Sequence, residues 1–251
     1  MIRRLAEMTA PEVADAITAG IATVILPLGS TEQHGPHLPL ATDSVRAAAL
    51  ADGLAAAMPG CLVAPVLPVG CSDEHTGFAG LIGLDHATLA AALVDCAKRM
   101  AAWGVRCVVL LSAHGGNAAA LKLACTRLAA EEPGLHVCIP TSSIELGERL
   151  ADIAAGDGIA VDAVGLHAGE GETSEMLQLR PDLVRMDRAV VGYVGSMTEV
   201  MPRLKCEGLL PVTASGTLGD PRPASANRGA RYLAARIDGL QQIIAGANNR
   251  C

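Results

Sequence analysis

The run Val105-Arg-Cys-Val-Val-Leu-Leu111 is apolar and β-branched, with no polar alternation along it. That is the pattern of a strand covered on both faces. It leads into Ser112-Ala-His114-Gly115-Gly116-Asn117 and then into an alanine-rich helical stretch ending near Glu131. The same strand-then-helix unit recurs along the chain. Residues 9–19 read as a helix with Thr9 as cap and Pro11 in its first turn, ended by Gly20, and residues 22–28 follow as a strand. Asp43 to about Met58 is helical, and 61–69 is a second strand whose prolines suggest an edge position or an irregular course. Leu84 to Trp103 is a long amphipathic helix ended by Gly104. Leu135–Pro140 is a further strand, Ser143–Ala155 a helix, and Ser225 to about Ala245 the closing helix. Strands alternating with helices predict an α/β fold in three layers, a mostly parallel central sheet with helices on both faces. No internal repeat or long linker interrupts the pattern, so residues 1–251 are expected to form a single domain.

Composition excludes several classes of partner. The apolar fraction of 51% comes almost wholly from Ala, Val, Leu and Ile, with one Trp, one Phe and two Tyr, which leaves little to stack on bases. A formal charge of −7 and the lack of a basic run argue against nucleic acid or an anionic membrane. The eight cysteines have irregular spacings and no Cys-x-x-Cys pair, and most lie in apolar runs where a free thiol behaves as a small hydrophobe. A reducing compartment is expected rather than a disulfide framework. The N-terminus lacks the apolar core of a signal peptide, and no apolar run is long and charge-free enough to span a bilayer. The expected location is cytoplasmic.

The polar residues gather where strands end. Gly29-Ser-Thr-Glu32-Gln-His34-Gly35-Pro36-His37-Leu-Pro39-Leu-Ala-Thr-Asp43 follows the first predicted strand. Glu32 and His34 are two residues apart, so in an extended chain their side chains leave the same face. Asp43 arrives where a helical pattern begins. His114 directly follows another strand, and Glu170 and Glu172 open a helix after the glycine-rich segment at His167. Ligands of open α/β sheets bind outside the carboxyl ends of the strands, so these groups can converge. Histidine and carboxylate donors without thiolate suit Zn²⁺, Mn²⁺ or Fe²⁺. Two histidines with two or three carboxylates exceed what one ion needs and suffice for two sharing a bridging carboxylate, about 3.5–4 Å apart. Such a pair lowers the pKa of a bridging water and polarises a carbonyl, which means hydrolysis.

Together Gly29-Ser-Thr-Glu-Gln-His-Gly-Pro-His-Leu-Pro-Leu with Asp43, Ala-His114-Gly-Gly-Asn117, and His167-Ala-Gly-Glu-Gly-Glu172-Thr-Ser resemble the creatininase family of amidohydrolases. The Gly-Phe78-Ala-Gly80 and Gly219-Asp220-Pro221 segments resemble it too, so the likeness covers nearly the whole chain in the family's order. The resemblance implies a creatininase-like α/β fold, two divalent ions per subunit (Zn²⁺ first, Mn²⁺ or Fe²⁺ otherwise) and a homo-oligomer, often a hexamer. It implies that Glu32, Asp43 and His114 hold one ion, and that His34 and Asp43 hold the second with Asp43 as the bridge. Two departures stand out. Creatininase completes its second metal with a glutamate two residues after the histidine matching His114, where this chain has Gly116; Glu172 is the substitute expected here. Creatininase also closes over its flat substrate with tryptophans, one of them at the place of Ala163, and the single Trp103 of this chain stands at a predicted helix end.

Further roles follow for individual residues. His167, with Glu172, is expected to deliver a proton to the leaving nitrogen; the alternative for His167 is to orient Glu172. Glu74 and His75 lie in a glycine-rich loop and face either the substrate or solvent, and Gly115 and Gly116 let a bound group approach the backbone. Glu170 reads as a helix-start carboxylate, His37 as a stiffener of its loop, His86 and His136 as structural, and Asp220 and Arg222 as contacts to a neighbouring subunit. The expected activity is hydrolysis of a C–N bond other than an ordinary peptide bond, in a small cyclic or linear amide that is not creatinine. One alternative within the same chemistry is a creatininase-like peptidase trimming a precursor peptide, of the mycofactocin-maturation type. Another, from a different class, is a non-catalytic metal- or ligand-binding scaffold.

Overall fold

The computed structural model describes residues 2–140 and 144–248. Its sheet contains β1 (Arg3–Arg4), β2 (Thr23–Leu28), β3 (Cys61–Val63), β4 (Cys107–Ser112) and β5 (His136–Cys138), in the order β1-β3-β2-β4-β5. Every ladder is parallel. The longest joins β2 to β4, from Thr23↔Cys107 to Leu28↔Ser112, so the two most continuous apolar runs pair at the centre. The helices are α1 (Ala10–Thr18), α2 (Thr42–Ala57), α3 (His86–Ala102), α4 (Ala118–Glu131), α5 (Ile144–Gly156), α6 (Val161–Val164), α7 (Glu170–Leu179), α8 (Met197–Glu207) and α9 (Ala226–Asn248).

Alternation along the strands builds the layers, because successive side chains leave opposite faces. Val24, Leu26, Leu62, Val108 and Leu110 point to one side, onto Ala16 of α1, Leu93 of α3 and Leu128 of α4. Ile25, Val63, Val109 and Leu111 point to the other, onto Leu54 of α2 and Leu240 of α9. Both faces are covered, as the sequence implies. Thr9 caps α1 in a reciprocal pair with Glu12, with Pro11 in the first turn.

Several expectations need correction. The strand expected over 61–69 keeps its ladder only through Val63. Beyond it, Ala64 and Leu67 still donate to Ile25 and Pro27, but Pro65 and Pro68 have no N–H to give, so pairing is intermittent. Nor is β3 an edge strand, since it lies between β1 and β2. Sequence patterning misses β1, which is two residues long, and α8, where Pro202 falls inside the helix. The first residue of the helix expected from Ser143 lies outside the described residues; the rest is α5.

One contact sets where the site's last helix lies. A Cβ at Gly229 of α9 would fall 1.9 Å from the Ser174 carbonyl oxygen of α7, so only glycine allows this approach. The same seam buries Glu170, the first residue of α7. Its Oε1 accepts from Ser174 Oγ at 2.5 Å and Arg228 Nε at 2.5 Å, and its Oε2 accepts from Tyr232 at 2.8 Å. Glu170 thus stands at a helix start as expected, but its work is to pin α7 to α9 from within. Replacing Gly229 by Ala should overpack this seam and lower stability by about 1–3 kcal/mol in urea denaturation. An unchanged midpoint would show that α7 does not depend on the close approach.

Candidate metal centre

Glu32, His34, Asp43, His114 and Glu172 meet at the carboxyl ends of β2 and β4. Glu32 and His34 lie in the loop after β2, Asp43 in the first turn of α2, His114 two residues past β4, and Glu172 in the first turn of α7. Since β2 and β4 end together at Leu28↔Ser112, their following segments start side by side. Glu32 and His34 are fully buried and Asp43 is 1% exposed. His34 Nε2 is 3.3 Å from Asp43 Oδ1 and 3.8 Å from Glu172 Oε2. His114 Nδ1 is 3.2 Å from Asp43 Oδ2, and its Nε2 is 3.4 Å from Glu32 Oε2. Glu32/Asp43/His114 and His34/Asp43/Glu172 each bring three ligand atoms within 4.8 Å of one another, as does Glu32/His34/His167. Asp43 belongs to the first two groups and turns one oxygen to each histidine, the disposition of a bridging carboxylate.

The donor set fits divalent ions. Among the described residues, both oxygens of Glu32, His34 Nε2 and Asp43 Oδ2 are buried without a hydrogen-bond partner. Buried polar atoms are rarely left so, and here four of them face one small volume. The outer ring nitrogens are already engaged: His34 Nδ1 lies 3.2 Å from the Glu32 carbonyl and His114 Nε2 2.8 Å from that of Cys71. A proton donated from each leaves His34 Nε2 and His114 Nδ1 to ligate, as metal-bound imidazoles usually do. The electrostatics agree. Burial pushes the Glu32 carboxyl up to about 7, with His114 pulling it down and Asp43 pushing it up. Burial works against a charged His34, but Asp43, Glu172 and Glu32 outweigh it and raise that ring to about 9. His114 rises to about 9 in the same way, against burial, through Asp43 and Glu32. For Asp43 burial is outweighed by His34 and His114, which hold its carboxyl well below the usual range.

The walls of the centre hold both expected and unexpected residues. His167 sets its ring 4.2 Å from that of His34, with Nε2 2.7 Å from the Gln33 carbonyl and Nδ1 3.8 Å from Glu32 Oε1. His75 is buried, with Nε2 3.1 Å from Glu32 Oε1, so it belongs to the site rather than to a loop tip. Its segment is also more regular than the glycines suggest: Asp73–His75 forms a 3-10 turn, Phe78 packs against a cluster of Val200, Leu204, Leu209 and Leu218, and Leu209 donates to the Glu74 carbonyl. The Glu74 side chain is 39% exposed, with Oε1 3.8 Å from His114 Nε2 at the rim. Gly115 has open space where a side chain would go. Gly116 does not: a Cβ there would meet the Cys71 carbonyl at 2.1 Å and His114 Nε2 at 2.4 Å. The missing glutamate is therefore barred by packing.

Burial, with the charges of His34 and His114, takes His75 down to about 3; burial, His34 and His75 likewise lower His167. Both rings are neutral. His37 is buried and holds Thr173 of α7 through Nε2 at 2.9 Å, stiffening its loop. His86 opens α3, and His136 lies at the end of the β4–β5 ladder away from His114. Asp220 and Arg222 pair with each other at 2.8 Å. Two residues that sequence patterning does not single out also belong here. Gln33 Nε2 lies 3.0 Å from His75 Nδ1 and 3.2 Å from His167 Nε2. Arg46 bonds Glu172 at 2.6 Å; a lone arginine one turn after Asp43 in an alanine-rich helix is the signal for it. A cavity of about 900 Å³ between α2, α4 and α9 shares Arg46, His114 and Gly115 with the site but is lined by none of its carboxylates.

Ligation requires neutral imidazoles, and His34 and His114 hold protons below about 9 when no metal is bound. Metal uptake near neutral pH should therefore release protons, and apparent affinity should rise as pH climbs toward 9. A pH indicator in weakly buffered protein measures the release during titration; uptake without it would contradict this reading.

The Creatininase family (creatinine amidohydrolase) matches residues 6–244. The mycofactocin precursor peptide peptidase of Mycobacterium ulcerans (strain Agy99) is 36% identical over 231 residues, covering 89% of this chain and 84% of its own length. The creatinine amidohydrolase of Pseudomonas putida is 29% identical over 251 residues, covering 95% and 94%. Among solved structures, a manganese creatininase superposes with a TM-score of 0.77 at 28% identity, covering 98% of this chain and 99% of its own. A glutamate-to-glutamine creatininase variant described as Zn-Zn type gives 0.76 at 26% identity, covering 98% of each chain. The clustered histidines and carboxylates, the parallel sheet that presents them and a family match spanning nearly the whole chain lead to one conclusion: this chain belongs to the creatininase family of hydrolases.

Proposed function

We propose that this chain, acting as one catalytic domain, is a peptidase that cleaves an amide bond in a precursor peptide and uses two divalent ions. Glu32, Asp43 and His114 hold the first ion; His34, Asp43 and Glu172 hold the second. Zn²⁺ and Mn²⁺ suit the nitrogen and oxygen donors, and creatininase structures are described with each. The observation that carries the peptide reading is the gradient of similarity, 36% identity to a precursor-peptide peptidase against 29% to a creatinine amidohydrolase. The walls support it. Ala163 stands where creatininase has a tryptophan, and Trp103 caps α3 away from the centre, so neither position offers an indole to close over a flat ring. The runner-up is a small cyclic or linear amide, supported by the Pseudomonas putida relative, which aligns with 95% of the chain.

Bound at this site, divalent ions polarise the scissile carbonyl and make water acidic enough to attack it near neutral pH. The chain's own groups do the rest. His167, neutral and with Nε2 fixed on the Gln33 carbonyl, presents Nδ1 to the centre. It takes the proton of the attacking water there and returns it to the departing nitrogen. Glu172 accepts from Arg46 at Oε1 and from the Ala168 N–H at Oε2, so it serves as a ligand and leaves proton delivery to His167. This narrows the catalytic role that sequence reasoning gave to both residues. Glu74, at the rim, meets the substrate's flanking groups.

Metal-loaded protein incubated with precursor-type peptides, creatinine, hydantoins and formamides, and followed by mass spectrometry, tests the proposal. Peptide cleavage is expected, lost on dialysis against a chelator and restored by Zn²⁺ or Mn²⁺. Turnover of creatinine with every peptide intact would overturn the peptide reading, and full activity of metal-free protein would overturn the metal reading. Asp43→Ala should lose both ions by elemental analysis, because its carboxylate is the one shared.

A further inference from the structure

We propose that Arg46 is the positioning residue that fixes Glu172 as a ligand of the second ion. This rests on the assignment of Glu172 as that ligand. Arg46 lies one turn after Asp43 on α2, is 4% exposed, and places a cation against three carboxyl groups, of which Asp43 and Glu175 are buried and Glu172 is 14% exposed. Its Nη1 is 2.6 Å from Glu172 Oε1 and 3.5 Å from Asp43 Oδ1, while its Nε is 2.7 Å from Glu175 Oε2. Nη1 also lies 3.4 Å from the Ala113 carbonyl, next to His114. Glu172 and Glu175 are one turn apart on α7, and the planar guanidinium addresses both with different edges. Glu175 is anchored from behind by Arg236 of α9, Nε to Oε1 at 2.6 Å. The arginine is thereby locked between α2 and α7 before any metal arrives.

The other oxygen of Glu172 is held as firmly. Oε2 accepts the Ala168 N–H at 2.7 Å, and Ala168 is the one non-glycine with positive φ among the described residues, at 51°. That residue is fully buried. A backbone in this sparsely populated region is maintained only where surroundings impose it, often at functional sites. With Arg46 on one oxygen and the strained amide on the other, the carboxylate cannot rotate, and Oε2 stays directed at His34 Nε2, 3.8 Å away. This clamp stands in for the glutamate that Gly116 excludes: a ligand reaching in from a different helix has to be held from a third.

Two other roles for Arg46 make different predictions. If it served only as compensating charge, lysine would substitute for it. If it simply opposed the bound cations, its removal would tighten them. The positioning role needs the fork, since an ammonium is a point charge that cannot bridge two carboxylates in fixed directions.

The test is Zn²⁺ titration of the full chain against a chromophoric chelator, with bound metal counted by elemental analysis and folding checked by circular dichroism. The wild type should bind two ions. Arg46→Lys should keep the first at wild-type affinity and bind the second about 10–100-fold more weakly. Glu175→Gln, which loosens Arg46 without touching the centre, should weaken the second ion by a smaller factor; it decides the matter if Arg46→Lys does not fold. Wild-type or tighter second-ion affinity in the folded variants overturns the proposal. Glu172→Gln separates the two readings. Retention of both ions in that variant removes Glu172 from the ligand set, whereas loss of the second ion there but not in Arg46→Lys overturns the positioning role alone.

Discussion

Everything in this molecule turns on gathering carboxylates and imidazoles in one dry volume at the rim of a parallel sheet. Isolating an ionised carboxylate from water costs several kcal/mol even after relaxation. Glu32, Asp43 and Glu175 are at most 1% exposed. Glu175 is neutralised by Arg46 and Arg236. Glu32 has only imidazoles near it and Asp43 adds one distant contact to Arg46, so His34 and His114 are driven to hold protons they would otherwise release. Divalent ions relieve the same charge more completely. The sheet, the tight seam between α7 and α9, and the network around Glu170 exist in this view to hold such a cluster in place.

Some of this was legible in the sequence for clear physical reasons. The fold class follows from continuous apolar strands alternating with helices; Glu32, His34 and His114 stand out because they lie in segments just after strands, and Asp43 because it opens the helix that follows. Other parts depend on tertiary packing that periodicity does not encode. Nothing local distinguishes His75 from a residue on a loose loop; α8 packs against its 3-10 turn, and Pro202 inside α8 hides that helix from sequence patterning. Glu170 carries the pattern of an exposed helix start, yet Arg228 and Tyr232 arrive from some sixty residues away to bury it. Nothing in the sequence assigns a role to Gln33, although it lies against both His75 and His167.

Substrate choice belongs to the walls of the site rather than its floor. The relatives this chain resembles include creatinine amidohydrolases and precursor-peptide peptidases by name. Two positions mark this chain: no side chain fits at Gly116, and Ala163 offers no ring.

X-ray absorption on protein loaded with two equivalents of Zn²⁺ probes the central arrangement most directly. Nitrogen and oxygen ligation with no sulfur is expected, plus a metal–metal vector of about 3.5–4 Å set by the shared carboxylate of Asp43. Isolated ions without a metal neighbour, or thiolate in the coordination sphere, would contradict it.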